Sequence, residues 1–356
     1  MTTASVTQNF QGSRSLPKWL APTLLAVAIL ASFSINSALA SSNPEATQLN
    51  LFAVALVAVI TYSIGFYLAS RIIEGQRKSE DRLVTILVTG AFALAVVPLI
   101  SLAWTVVERG AARFDMDFFT FSMRNVVGAG GGAYHAIIGT LEITGLATFI
   151  SVPIGIMTAI YLVEYGRGAL ARAVTFFVDV MTGIPSIVAG LFAYAAFVVI
   201  FGPGVRMGVG GAIALSVLMI PVVIRATEEM LKIVPNELRE ASYALGVPKW
   251  LTVTKVVLPT ALAGIATGVM IAIARIIGET APLLIIAGFT ASTNFNPFDE
   301  RMMTLPVFVY TSYANQGADA QTYIDRAWTG ALVLMLIVMI LNIIARLVSK
   351  YFSPKG

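Results

Sequence analysis

Eight long apolar runs alternate with short polar segments along the chain, at residues 20–40, 49–70, 83–107, 136–163, 173–201, 208–227, 258–288 and 327–348. Each approaches or exceeds the about 20 helical residues needed to cross a hydrocarbon layer about 30 Å thick. None shows the strict alternation of a barrel strand, and a helix pairs every backbone polar group internally, so each run predicts a transmembrane helix. The expected fold class is an all-α polytopic membrane protein of about eight spans.

Composition strengthens that expectation. Of 356 residues, 57% are hydrophobic and only 12% charged, against about 25% charged in soluble domains. Mean hydropathy is +0.84. The chain has no cysteine and a single histidine, His135, which excludes disulfide frameworks, Cys-ligated zinc, iron–sulfur clusters and His-rich metal sites. The net charge of +4 does not by itself point to nucleic acid, because in a membrane chain the placement of charge matters more.

That placement is uneven. Fifteen basic residues fall in the ends and loops that share one side: Arg14, Lys18, Arg71, Arg77, Lys78, Arg82, Arg167, Arg172, Lys232, Arg239, Lys249, Lys255, Arg346, Lys350 and Lys355. Six fall opposite: Arg109, Arg113, Arg124, Arg206, Arg301 and Arg326. The positive-inside rule then puts both termini in the cytoplasm. Arg14 and Lys18 before an apolar run ending Ala38-Leu39-Ala40 also resemble a secretory leader, but the run exceeds a usual leader core, and residues 1–40 are expected to be retained. The basic segment 71–82 separates an N-terminal domain, residues 1–82 with a two-helix hairpin, from six further spans in residues 83–356. The glycine-rich segment 128–132 reads as flexible and external, and it lacks the Gly-Lys-Ser/Thr ending of a phosphate-binding P-loop, which is complete nowhere in the chain.

Between the sixth and seventh spans, a cytoplasmic segment at about 228–259 carries its own punctuation. Pro235 can open a short helix, Gly246 can close it and Pro248 can open the next. Glu240, Ala241 and Ser242 place a carboxylate and two small side chains on that helix, open to close approach by another protein. Composition alone equally allows an amphipathic helix on the membrane surface. The arrangement Glu240-Ala241-Ser242, three residues, Gly246, then Val256-Val257-Leu258-Pro259 resembles the EAA loop of binding-protein-dependent ABC importers, with Ser242 and Val256 as mild departures. The resemblance implies that Glu240, Ala241, Ser242 and Gly246 belong to a coupling helix seated in a separate ATP-binding subunit.

Five ionisable residues, Glu142, Asp179, Arg225, Arg275 and Glu279, lie within or near apolar runs. Each would cost at least about 2.5–3.5 kcal/mol at a span centre, so such groups face an interior or an aqueous path. Arg275 and Glu279, four positions apart, would share one face of a continuous helix. They could form an ion pair that merely permits insertion. Arg225 on the preceding span would then leave excess positive charge, suited to an oxyanion that accepts forked hydrogen bonds. Glu279 could accept a hydrogen bond from protonated phosphate while repelling fully ionised sulfate. Asp179 reads as a surface or capping residue, His135 as a loop residue and the four tryptophans as interfacial anchors. Pro185-Ser186 predicts a kink in the fifth span, which makes Ser186 a pathway candidate.

Three stretches together resemble the PstA-type permease of the bacterial phosphate-specific ABC importer: residues 221–231 (Pro221-Val-Val-Ile-Arg225-Ala-Thr-Glu-Glu-Met-Leu231), 238–246 and 272–284 (Ala272-Ile-Ala-Arg275-Ile-Ile-Gly-Glu279-Thr-Ala-Pro-Leu-Leu284). Residues 155–166 and 185–191 add to the match. The resemblance implies a six-span type I ABC importer permease core preceded by the hairpin, in the bacterial inner membrane. It also implies Arg225, Arg275 and Glu279 in the pathway, a PstC-type permease partner and two PstB-type ATP-binding subunits that hold ATP and Mg. An external phosphate-binding protein would deliver the substrate, docking on the two long external segments 108–134 and 289–326. No catalytic residue, metal site or cofactor is expected in the chain, and its other neighbour is membrane lipid. An importer of sulfate or molybdate, an ion-coupled secondary carrier and a regulatory scaffold remain open.

Overall fold

A computed structural model of the chain describes residues 16–17, 19–42, 51–317 and 319–352. Arg14, Lys18, Lys355 and the start of the second predicted span at Leu49 lie outside the described residues. The described regular structure is helical throughout: α1 (Leu20–Ser42), α2 (Leu51–Ile73), α3 (Gln76–Gly110), α4 (Met116–Thr120), α5 (Tyr134–Ile160), α6 (Gly168–Thr182), α7 (Ser186–Phe201), α8 (Gly208–Ile233), α9 (Asn236–Ala244), α10 (Lys249–Thr252), α11 (Leu258–Ile276), α12 (Ala281–Ile286), α13 (Leu305–Ala314) and α14 (Ala320–Phe352). Wider π turns extend α5 over Tyr161–Tyr165 and precede α11 over Val253–Val257.

Seven helices among the described residues are long and apolar enough to cross a membrane, and one bent pair could add an eighth span. That pair corrects the fifth predicted span. α6 and α7 meet at 110° across Gly183–Pro185, so the expected kink is a full break. Pro185 has no N–H to continue a helix and holds the preceding residue away from helical geometry; its carbonyl then accepts from Val188 N–H to start α7. The seventh predicted span also stops early, at Ile276, and resumes only at Ala281.

The chain divides into two compact units at Ala103–Trp104, a point inside α3. In the first unit Ser32 Oγ donates to the Val54 carbonyl at 2.5 Å, joining α1 to α2. Glu74, in the turn before α3, takes two hydrogen bonds from Arg82 at 2.9 and 3.1 Å and one from the Leu16 backbone N–H. The Arg82 guanidinium, with the Leu16 N–H and the Ser70 hydroxyl, which donates at 3.0 Å, holds the Glu74 carboxyl at about 2, well below the usual carboxylate range.

The second unit is built on α5 and α8, which pack closely because small residues line their contact. A Cβ on Gly155 would lie 2.6 Å from Val223 Cγ1, and Ala147, Ala212 and Met219 are fully buried in the same cluster. The cluster continues through Ala272 and Ile276 of α11 to Leu305 and Phe308 of α13. Thr140 Oγ1 accepts the Leu305 N–H at 2.7 Å, which fixes the start of α13 on α5. One residue earlier, a Cβ on Gly139 would meet the Met303 carbonyl oxygen at 2.0 Å. Gly139→Ala must therefore push two backbones apart, at about 1–3 kcal/mol. The expected result is a thermal midpoint several degrees lower, while Gly145→Ala on the same helix, with open space at its Cβ, leaves it unchanged or slightly raised. Equal midpoints for wild type and Gly139→Ala would refute the packing argument.

Candidate functional site

The segment at about 228–259 folds as its punctuation predicts. Pro235 directly precedes α9. The Gly246 N–H bonds to the Tyr243 carbonyl with φ at +76°, a left-handed turn where glycine is favoured, and Val247 N–H bonds to the Ser242 carbonyl. Pro248 then opens α10. Glu240, Ala241, Tyr243, Ala244, Leu245 and Gly246 are exposed, and Leu245 and Trp250 present 83% and 62% of their surface. Ser242 departs from expectation. It is buried, and its hydroxyl hydrogen-bonds Thr252 Oγ1 at 2.8 Å. It ties α9 to α10 from within instead of lying on the outer face, because Thr252 takes the inward position that faces it.

Two basic residues fasten this segment to the end of α5. Arg239 Nε donates to Glu164 Oε1 at 3.0 Å, while its Nη1 and Nη2 donate to the Val234 and Leu231 carbonyls at 2.6 and 2.8 Å. Lys249 Nζ donates to the Glu164 carbonyl and lies 5.0 Å from the Tyr165 ring centroid. Arg239 thereby satisfies carbonyls left open at the end of α8 and a carboxylate on the π turn of α5. Sequence reading missed this joint, since Glu164 and Arg239 are 75 residues apart.

The intramembrane charges are arranged differently from the sequence expectation. Arg225 donates to Asp179 on α6 and, at 2.7 Å, to Glu228, which also pairs with Lys232 at 2.7 Å. Arg225 is therefore not a spare cation here. The packing of α6 on α8 supplies its counter-ion, and Asp179 is a partner instead of a cap. Arg275, at the last turn of α11, is exposed and makes no ion pair among the described residues. Glu279 lies beyond the helix end, so the expected i, i+4 pair with Arg275 does not form. Gly278 and the break before Ala281 remove the continuous helix that the pair needed.

Facing residues set the relative depth of the two arginines. A Cβ on Gly268 would sit 2.5 Å from Ala226 Cβ, and one on Gly264 would sit 2.2 Å from Met230 Sδ. α8 and α11 are thus antiparallel, with Arg225 near the level of residue 269. At about 1.5 Å per residue, Arg275 lies about 9 Å farther along, toward the start of α8. Ser186 opens α7 half-buried; no hydrogen bond joins it to Arg225, Arg275 or Glu279 among the described residues.

Other expectations change with packing. His135 is buried in the first turn of α5, edge-on to Phe308 at 5.8 Å, and is not a loop residue. Arg326, counted above as an external charge, is 1% exposed and donates to the Gly128 and Thr322 carbonyls. Arg113 donates to the Gly131 carbonyl at 3.0 Å. The glycine-rich segment is consequently pinned by two arginines instead of hanging free.

Comparison with known proteins shows the family. The family described as "Binding-protein-dependent transport system inner membrane component" matches residues 151–355, from the middle of α5 to the chain's end. The chain belongs to this family. It is 43% identical over 276 residues to the phosphate transport system permease protein PstA 1 of Mycobacterium tuberculosis H37Rv, covering 77% of this chain and 88% of that protein. It is 39% identical over 279 residues to PstA of Yersinia pestis, covering 77% and 92%. Within its family the chain is thus a PstA-type permease, a multi-pass component of the inner membrane.

Among solved structures, a chain of the inward-facing MetNI methionine ABC transporter matches with TM-score 0.52 and 22% identity over 62% of this chain and 96% of that one. A chain of a bacterial alginate ABC transporter, in complex with its alginate-bound periplasmic protein, matches with TM-score 0.53 and 14% identity over 78% and 97%. These likenesses give the ABC importer permease fold. The N-terminal hairpin α1–α2 precedes the region the family match covers.

Proposed function

We propose that the chain forms half of the transmembrane pathway of an ATP-driven importer of inorganic phosphate. The observation that carries this reading is the 43% identity to a phosphate permease over most of both chains, together with an exposed arginine on a membrane helix, Arg275, which makes no ion pair among the described residues. An arginine facing lipid at that depth would be costly, so Arg275 faces an aqueous path or a second permease. A guanidinium there can grip a phosphate through forked hydrogen bonds, and Glu279, at the adjacent helix break, can accept the acidic hydrogen that phosphate keeps near neutral pH. Arg225 lies deeper toward the cytoplasm, and phosphate competes there with Asp179 and Glu228 for its N–H groups. Ser186 belongs to the same pathway.

In this reading residues 83–356 form a six-span type I permease domain, and residues 1–82 add the hairpin, with both termini in the cytoplasm. Partners are a PstC-type permease, two PstB-type ATPase subunits that hold ATP and Mg, and an external phosphate-binding protein. The segment 228–259 docks on an ATPase through Glu240, Ala241, Leu245 and Gly246, supported from inside by Ser242. Closure of the ATPase pair then moves α8 and α11 as rigid bodies.

The test is uptake of labelled phosphate by the reconstituted assembly with and without ATP. The expected result is ATP-dependent uptake that excess sulfate does not suppress. Equal competition by sulfate or molybdate would establish a different oxyanion importer, and uptake driven by an ion gradient without ATP would establish a secondary carrier.

A further inference from the structure

The face that the positive-inside rule assigns to the exterior carries a polar cleft of about 400 Å³ lined by Gly204, Arg206, Phe289, Thr290, Glu300 and Arg301. Two backbone hydrogen bonds frame it. Met207 N–H donates to the Ile286 carbonyl and Met302 N–H to the Ala287 carbonyl, both at 3.0 Å. Successive carbonyls thus hold the residues just before Met207 and Met302, Arg206 and Arg301, on either side of Gly288. A Cβ on Gly288 would lie 3.0 Å from Arg206 Cδ and 3.3 Å from Arg301 Cγ, so both arginine stems converge on one glycine, whose φ is +83°.

Neither guanidinium makes an ion pair or a side-chain hydrogen bond among the described residues, whereas Arg82, Arg113, Arg225 and Arg239 are all paired. The Thr290 hydroxyl oxygen accepts the Ser292 N–H at 3.2 Å, leaving its own O–H free to donate. Glu300 holds a φ of +55°, uncommon for a residue with a long side chain, and supplies an acceptor at the rim. Two forked cations, a hydroxyl donor and one carboxylate acceptor match a tetrahedral oxyanion that still carries a proton.

We propose that this cleft binds a phosphate-type oxyanion at the external mouth, upstream of Arg275, as a receiving site for substrate; this rests on the phosphate-importer reading and its orientation. Phosphate group chemistry could come from inorganic phosphate or from the headgroup of an anionic lipid at the membrane surface, and the test separates the two.

Because the chain has no cysteine, Phe289→Cys places a single thiol of this subunit at the cleft. The measurement is its rate of labelling by a membrane-impermeant maleimide in the reconstituted full complex, at constant ionic strength. In neutral phosphatidylcholine, inorganic phosphate should slow labelling severalfold and sulfate less, and the added pair Arg206→Gln and Arg301→Gln should abolish the slowing. Slowing that follows phosphatidylglycerol content, and that the same pair removes, assigns the oxyanion site to the lipid headgroup. Rates indifferent to both, or protection that survives the double substitution, overturn the site. Arg206→Lys with Arg301→Lys, which keeps the charge but loses the fork, should retain part of the protection. ATP-driven uptake in the same vesicles separates failures: uptake without protection defeats the cleft alone, and absence of uptake in the parent complex defeats the importer reading.

Discussion

Arg239→Ala should cut ATP-driven phosphate uptake at least about tenfold while ATP hydrolysis by the assembled complex continues, since about 1.4 kcal/mol already corresponds to a factor of ten. Arg239 and Glu164 retain only 12% and 5% of their side-chain exposure. Removing one partner of such a buried pair costs about 3–5 kcal/mol, because the other charge stays buried and unpaired. The same substitution frees the Leu231 and Val234 carbonyls. All of that loss falls where α9 meets the ends of α5 and α8, so motion of an ATPase docked on α9 as proposed would reach α9 without being passed on. Glu164→Gln, which keeps an acceptor but no charge, should show a smaller loss of the same kind. The quantity to measure is phosphate imported per ATP hydrolysed; an unchanged ratio in Arg239→Ala would show that the joint does not transmit motion.

How much of this was legible in the sequence depended on whether the determining contact was local. Pro235, Gly246 and Pro248 marked the bounds of α9 and the start of α10 correctly because each acts on its own backbone dihedrals. The Arg239–Glu164 joint was invisible, since no spacing rule links residues so far apart. The fifth span was misread for another reason. Hydropathy reports length and composition, not direction, and 173–201 is apolar on both sides of the break. Only the Gly183-Ile184-Pro185 run signalled it. The i, i+4 spacing of Arg275 and Glu279 assumed a continuous helix, whereas Gly278 and Pro282 together mark one helix ending and another beginning. The phosphate-permease assignment was legible because it rests on several short motifs taken together, and the 43% identity to a phosphate permease agrees with it.

Arg275→Ala and Arg225→Ala should both abolish most uptake, but with different signatures. Arg275 has no ion-pair partner among the described residues and is exposed, so alanine there should leave the thermal midpoint unchanged. If phosphate meets it through charge-assisted hydrogen bonds worth about 1.5–3 kcal/mol, the loss of uptake is about tenfold to a hundredfold. Arg275→Lys should recover part of it, a point charge replacing a fork. Arg225→Ala instead leaves Asp179 and Glu228 without their shared cation. It should lower the midpoint as well as uptake, and Asp179→Asn in the same chain should restore the midpoint by removing the stranded charge, without restoring uptake. That separation matters because Arg225 ties α6 to α8 in the arrangement seen here, and any anion that binds it must displace a carboxylate. If phosphate passes Arg225 as proposed, it competes with Asp179 for the same N–H groups and would loosen the tie between α6 and α8. Wild-type uptake in both single variants would remove the two arginines from the pathway, and recovery of uptake in the Asp179→Asn double variant would reduce Arg225 to a structural counter-ion.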